Sequence, residues 1–329
     1  MLALFVLAAC SNQTPTGPQL NPWIGGTDAL ALSFMPGMPP LEEGAILDDD
    51  KSSFSIGVKL DNNGEYDIEP ANGDLIDVRV RGILPGQFNL ASEADLQTEV
   101  LDTLRGRRKN IDGSVIEGQF TTVAFNDLRY QPNSQGDIPK TFVVDVCYDY
   151  KTRSTTAVCL ANDVTDALTS DSAQQICTLS GMKDPKNSAG PIQVTDLRQQ
   201  PQGENKVSVI FTLSHVGNGA IYKYQGDDTN PCDDSISNLD EQDEVFVEVS
   251  LPSALSADIE CSGSFTNSQA AYSFGEVKMY DGAPRTITCT IIEESGQNNL
   301  VYEDLLSVDL SYRYAESIRQ TVTIKDAGE

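Results

Sequence analysis

A two-residue period runs through nearly the whole chain, and it limits the fold more than any other feature. Phe142, Val144, Val146, Tyr148 and Tyr150 occupy alternate positions, the longest such face. Successive side chains of a strand point to opposite sides, so this period describes a half-buried strand. The same habit appears in Leu30, Leu32 and Phe34, in Phe54, Ile56, Val58 and Leu60, and in Ile76, Val78 and Val80, which alternate with Asp77, Arg79 and Arg81. It returns in Val207 to Leu213, Val245 to Leu251, Ile287 to Ile291, Val308 to Tyr314 and Ile318 to Ile324. Between these runs lie Asn62-Asn63-Gly64, Gly217-Asn218-Gly219 and Asp281-Gly282, residues that tolerate the positive φ of tight turns. Short strands at this spacing predict an all-β chain of antiparallel sandwiches.

One segment departs from the period. Ser92-Glu93-Ala94-Asp95 reads as the cap of a short helical insertion whose apolar stripe is Leu96, Val100, Leu101 and Leu104. Arg105-Gly106-Arg107-Arg108-Lys109 follows, where positive charge suits a helix C-terminus. It is the only basic cluster in the chain, and its second reading is a surface for an acidic partner or a protease.

Composition removes several classes of function. The 49 acidic residues outnumber the 22 basic ones, a net charge of 22 − 49 = −27, which excludes nucleic-acid binding through clustered Lys and Arg. With 39% hydrophobic and 22% charged residues the chain is globular, and 329 residues suggest two domains. No internal apolar run approaches the roughly 20 residues of a membrane-spanning helix.

Leu2 to Ala9 form a short apolar run closed by small residues, the pattern of a secretory signal. Leu7-Ala8-Ala9-Cys10 resembles the lipobox of prokaryotic lipoproteins, which implies that residues 1–9 are a signal segment and that Cys10 carries a lipid anchor to the membrane. The chain departs from that pattern in lacking a basic n-region, since Leu2 follows Met1 directly. Residues 10–27, polar and proline-containing, read as a flexible stalk. The sequon at Asn12 is short enough to be chance.

The two halves look like copies of one module. Ser55 to Tyr66 runs as an alternating strand into Asn62-Asn63-Gly64, and Ser208 to Gly219 runs likewise into Gly217-Asn218-Gly219. These segments resemble the CARDB-like and related immunoglobulin-like modules of prokaryotic surface proteins. Ser33 to Pro40, Cys147 to Thr152 and Leu310 to Tyr314 look like parts of archaeal surface proteins built from two such modules. The resemblance implies two immunoglobulin-like antiparallel β-sandwich domains in tandem, residues 28–180 and 191–329. A linker at 181–190 falls where Lys183-Asp184-Pro185-Lys186-Asn187-Ser188 interrupts the pattern.

Seven cysteines less Cys10 leave 7 − 1 = 6, an even number suited to three disulfides. The absence of any CxxC pair, with His215 the sole histidine, excludes the common zinc sites. Cys147 and Cys159 are expected to pair across a hairpin turn at Lys151 to Thr155, and Cys261 with Cys289 in the core. Three cysteines per domain is an odd number, so one bridge must cross the boundary, and Cys177 to Cys232 is the candidate. The alternatives are free thiols or a bridge to another chain.

Chemistry is sparse. A Ser-His-acid triad would need His215, which continues a strand alternation and reads as a packed side chain. No phosphate-binding glycine loop and no HExxH occurs, and 49 carboxylates guarantee chance pairs. Asp227, Asp228, Asp233 and Asp234 offer hard oxygen ligands for calcium, without EF-hand spacing, and solvated loops are their default reading. The expectation is a non-catalytic extracellular surface protein, a lipid-anchored structural or adhesion scaffold whose two sandwiches project a tip about 80 Å. Its rivals are a filament or lattice subunit self-associating through strand edges, a glycan- or solute-binding module using Trp23 or Tyr148 and Tyr150, and a carboxylate enzyme.

Overall fold

The computed structural model describes residues 21–42, 46–171, 176–233, 235, 239–252, 257–267, 271–293 and 300–328. The signal segment, Cys10, residues 10–20 of the stalk and Asp234 lie outside the described residues.

The first half contributes β1 (Leu30–Phe34), β2 (Ile46–Leu47), β3 (Phe54–Asn62), β4 (Ile76–Arg81), β5 (Gln97–Glu99), β6 (Arg108–Lys109), β7 (Val115–Ile116), β8 (Phe120–Leu128) and β9 (Ile138–Ala161). The second contributes β10 (Gly181–Met182), β11 (Lys186–Asn187), β12 (Ile192–Pro201), β13 (Lys206–His215), β14 (Ala220–Tyr222), β15 (Glu244–Ser250), β16 (Ala257–Cys261), β17 (Phe265–Asn267), β18 (Tyr272–Lys278), β19 (Arg285–Glu293) and β20 (Val301–Lys325). The fold is all-β, as the period requires.

Three sheets make the body: β1-β3-β8, β10-β12-β13-β19-β16, and a ten-stranded sheet whose main path is β17-β18-β15-β20-β9-β4-β5. Its spine is the antiparallel ladder of β9 with β20, unbroken from Val301↔Ala161 to Ile324↔Ile138. One end of the spine faces β1-β3-β8, with Phe142 against Phe54 and Phe88 at 5.7 and 5.8 Å. The other end faces β12-β13-β19, where the Gln199 amide accepts from the Cys159 N–H and donates to its carbonyl, at 3.0 and 2.6 Å. Each facing pair of sheets is a sandwich lobe.

The duplicated module is visible in the topology. Order β1-β3-β8 matches β12-β13-β19, and β4 beside β9 matches β15 beside β20. Each module's last strand is long enough to leave its own lobe and complete the other. Residues 28–180 and 191–329 therefore do not form separate sheets, and 181–190 is no free linker, because β11 pairs with Thr155 and Ser154 of β9.

The expected hairpin at Lys151 to Thr155 is instead the middle of β9. The segment holds no Gly, Pro or Asn, and Thr152, Ser154 and Thr156 keep the buried parity of Val144 and Val146. Cys147 and Cys159 are twelve residues apart on one straight strand, roughly 40 Å by strand rise, and no disulfide spans that.

The expected helix after Ser92 is a single 3-10 turn, Glu93–Leu96. Asp95 does cap it, accepting from the N–H groups of Ala91 and Ser92 at 2.8 and 3.0 Å. The chain then turns into β5, because the free edge of β4 offers Gln97 to Glu99 ladder partners. Leu96, Val100 and Leu104 are buried, whereas Leu101 is 77% exposed. The α-helix of the described residues is Val164–Thr169, capped by Asp163.

Candidate functional site

The register of β9 and β20 sets Tyr148 opposite Tyr314, Asp149 opposite Arg313 and Tyr150 opposite Tyr312. Even positions face the core and odd ones the outer surface, so a seam forms between the lobes with tyrosines inside and an ion pair outside.

Inside, loops from both facing sheets end on the phenol groups. The Tyr150 hydroxyl accepts from the Glu65 N–H at 3.0 Å and donates to the Ala189 carbonyl at 3.2 Å. The Tyr314 hydroxyl accepts from the Gly219 N–H at 2.7 Å and meets His215 Nε2 at 2.8 Å. Tyr312 pairs with Thr152 Oγ1 at 2.7 Å. Burial raises all four phenols above the usual tyrosine range, so they stay neutral. The two repeated Asn/Gly turns dock here: a Cβ on Gly64 would lie 1.6 Å from the Tyr150 hydroxyl, and one on Gly217 2.3 Å from that of Tyr314. His215 is packed against Tyr314, and burial lowers its pKa below the usual imidazole value.

Outside, Arg313 and Asp149 are 1% and 0% exposed. Arg313 Nε and Nη2 donate to the two Asp149 carboxylate oxygens at 2.9 and 3.2 Å. Asp149 also accepts from the Leu75 N–H at 3.0 Å. Burial opposes the charge on Arg313, but Asp149 and Asp228 outweigh it and raise its pKa. Arg313 reaches Asp228 at 2.7 Å and the Asp227 carbonyl at 3.2 Å. The Cys147–Cys232 disulfide fastens the same loop.

That bridge crosses between the halves, as the odd count of cysteines demands, but with Cys147 rather than Cys177. Cys177 bonds Cys159, and Cys261 bonds Cys289, the pair expected in the core. The calcium candidates diverge. Asp228 serves Arg313, Asp227 accepts from the Thr229 N–H at 2.9 Å, and Asp233 from the Ser235 N–H and hydroxyl, both at 2.9 Å. Among the described residues no cluster of three acidic, His or Cys side chains could hold a metal.

Beside the seam a cleft of about 650 Å³ is lined by Leu30, Leu32, Arg81, Asp145, Tyr222, Glu316 and Ile318. Arg81 is tied to Asp145. Glu316 accepts from the Tyr148 hydroxyl at 3.3 Å, and burial pushes its carboxyl up to about 7. A second cleft of about 460 Å³ lies on the outer face of the second lobe, lined by Arg153, Lys223, Phe246, Glu248, Glu276 and Asp309. At its margin Phe246, Phe274 and Tyr272 make a strip, with centroids 6.0 and 6.2 Å apart. Of the aromatics expected to bind a solute, Tyr148 and Tyr150 are fully buried, and the Trp23 indole donates to Thr155 Oγ1 at 3.3 Å. The strip has a signal in the sequence that the alternation alone does not single out. Phe246 sits on the polar parity of the run Val245, Val247, Val249.

No protein-family model matches the chain, and no curated protein matches it with significance.

Proposed function

We propose that this chain is a non-catalytic extracellular scaffold, a rigid two-lobed rod held to a membrane through a lipid on Cys10. The β9–β20 ladder carries the reading. It pairs 24 consecutive residues of β9, about 80 Å at roughly 3.3 Å per residue, and both lobes are built on it. Bending the rod would break ladder hydrogen bonds rather than flex a linker. Three disulfides fit an oxidising compartment outside the cytoplasm.

The chain enters close to the seam rather than at an end. The Glu65 carboxylate accepts from the N–H groups of Ile24 and Gly25, both at 2.9 Å, and from that of Ala189 at 2.8 Å. The described part of the expected stalk is thus docked, and the rod is tethered near its waist with two free ends. Non-reducing peptide mass mapping of the protein from its native membrane tests this, with X-ray scattering of the same material. A lipid mass on Cys10 and a largest dimension near 80 Å are expected; an unmodified Cys10 or a flexible two-bead profile overturns it.

Assembly through strand edges has its own supporting observation. On its side away from β9, β20 pairs with β15 at 307–311, β14 at 313–315 and β2 at 324–325. Among the described residues nothing pairs with 316–323 there, an opening that fits a strand from another copy. Salt-resistant oligomers in sedimentation would favour that reading, and a strict monomer would count against it. The aromatic strip favours glycan binding, for which loss of binding in Phe274→Ala on a glycan array is the check.

A further inference from the structure

The β6–β7 hairpin stands away from the body. Arg108 pairs with Ile116 and Lys109 with Val115, and every residue from 108 to 117 is exposed. Its tip is built rather than loose. The Asn110 N–H donates to the Ser114 carbonyl at 2.8 Å, and the Ser114 N–H and hydroxyl donate to Asp112 Oδ1 at 2.9 and 2.6 Å. This ordered turn holds Ile111 wholly in water, at 107% exposure, with Val115 and Ile116 at 40% and 52% behind it. Three exposed apolar side chains gathered on one ordered hairpin are more than the single scattered residues of an ordinary surface.

Two further observations bear on its partner. The hairpin carries the only basic cluster of a chain whose net charge is −27. It also stands where the chain enters, since Lys109 Nζ donates to the backbone carbonyls of Asn21 and Trp23 at 2.9 and 3.4 Å. The twenty residues before Asn21 contain the apolar run Leu2 to Ala9 and Cys10.

We propose that the hairpin seats on an anionic lipid surface, with Ile111 at the acyl boundary and Arg105, Arg108 and Lys109 among the headgroup phosphates. The proposal rests on the membrane-anchored reading, which it extends from attachment to orientation. Charges of the acidic body beyond about 10 Å are screened, and the segment from Arg105 to Glu117 carries four basic residues against Asp112 and Glu117, a net charge of 4 − 2 = +2. Neighbours temper the cluster: Arg108 is paired with Asp67, and Arg107 with Glu117 at 3.1 Å. The hairpin alone is therefore a weak binder, and a tether nearby supplies the effective concentration it needs.

The chain has one tryptophan, which makes the test clean. The full chain carrying Trp23→Phe and Ile111→Trp is added to neutral phosphatidylcholine vesicles and to vesicles containing phosphatidylglycerol. Blue-shifted emission, quenched by brominated lipid only on the anionic vesicles, is the expected result. Arg108→Glu with Lys109→Glu should abolish it, and neutralising either residue should cost about fivefold in partitioning. Protein that floats with the vesicles while the new tryptophan stays in water overturns the proposal and leaves the anchor standing. Flotation on anionic vesicles alone, with Cys10 unmodified, supports the hairpin, while the anchor is decided separately by the mass of Cys10 in the native protein. Because the free hairpin is weak, the deciding arm couples Cys10 to a maleimide lipid in both vesicles, and a new tryptophan that stays in water on the anionic ones overturns the proposal.

Discussion

Arg313 and Asp149 face each other across β9 and β20 at the seam between the lobes, each almost wholly removed from solvent. Around this pair the molecule has an approximate internal two-fold, in which Tyr150 docks the Gly64 turn of one module and Tyr314 the Gly217 turn of the other. The ion pair lies on one side of the spine and the tyrosines on the other.

Removing one member of that pair should be costly, because it strands the other charge without solvent. Arg313→Leu is expected to lose about 3–5 kcal/mol in urea unfolding, while Arg313→Met combined with Asp149→Leu recovers most of the loss. Equal losses in the single and the double variant would show that shape, not charge, holds the seam.

Gly64 has no room for a side chain, so Gly64→Ala should destabilise by more than about 2 kcal/mol. Adding Tyr150→Phe removes the closest atom and should recover part of that. Gly86→Ala, with nothing within 4 Å, is the neutral control. Thermal midpoints of the four proteins decide the matter.

The carboxyl of Glu316 titrates higher in the folded protein than in the unfolded chain, near 7 against 4.5. Between these values the folded form holds a proton that the unfolded form has lost. Stability should therefore fall as pH rises from about 4.5 to 7 and level off above, as far as this group is concerned. Glu316→Gln should remove that component of the slope, measured as thermal midpoint against pH. An unchanged slope would place the titration elsewhere.

The disulfides should rank by the loops they close. Cys147–Cys232 spans 85 residues, Cys261–Cys289 spans 28 and Cys159–Cys177 spans 18. Loop closure predicts losses of about 4.6, 3.6 and 3.2 kcal/mol when each is replaced by alanines. Calorimetry of the three double variants tests the order, and a larger loss for Cys159–Cys177 than for Cys147–Cys232 would contradict it.

The alternation by itself determined the strand faces, the all-β class and the modular repeat. A period of two is a local property, and burial on one side follows from it without knowledge of any partner. It also made Cys261 and Cys289 inward-facing neighbours of Ile259 and Ile287. The same alternation does not say how far a strand runs or what it pairs with. Whether Lys151 to Thr155 turned back or ran straight depended on β20, more than 140 residues later, offering an equally uninterrupted partner. The pairing of Cys147 with Cys232 followed from that extension, as did the burial of Arg313 beside Asp149. Likewise, Leu96 to Leu104 suits a helix stripe on its own, and only the vacant edge of β4 drew Gln97–Glu99 into a strand. Local pattern decides which face of a segment is dry; the length of a strand and its partners are decided by contacts remote in sequence.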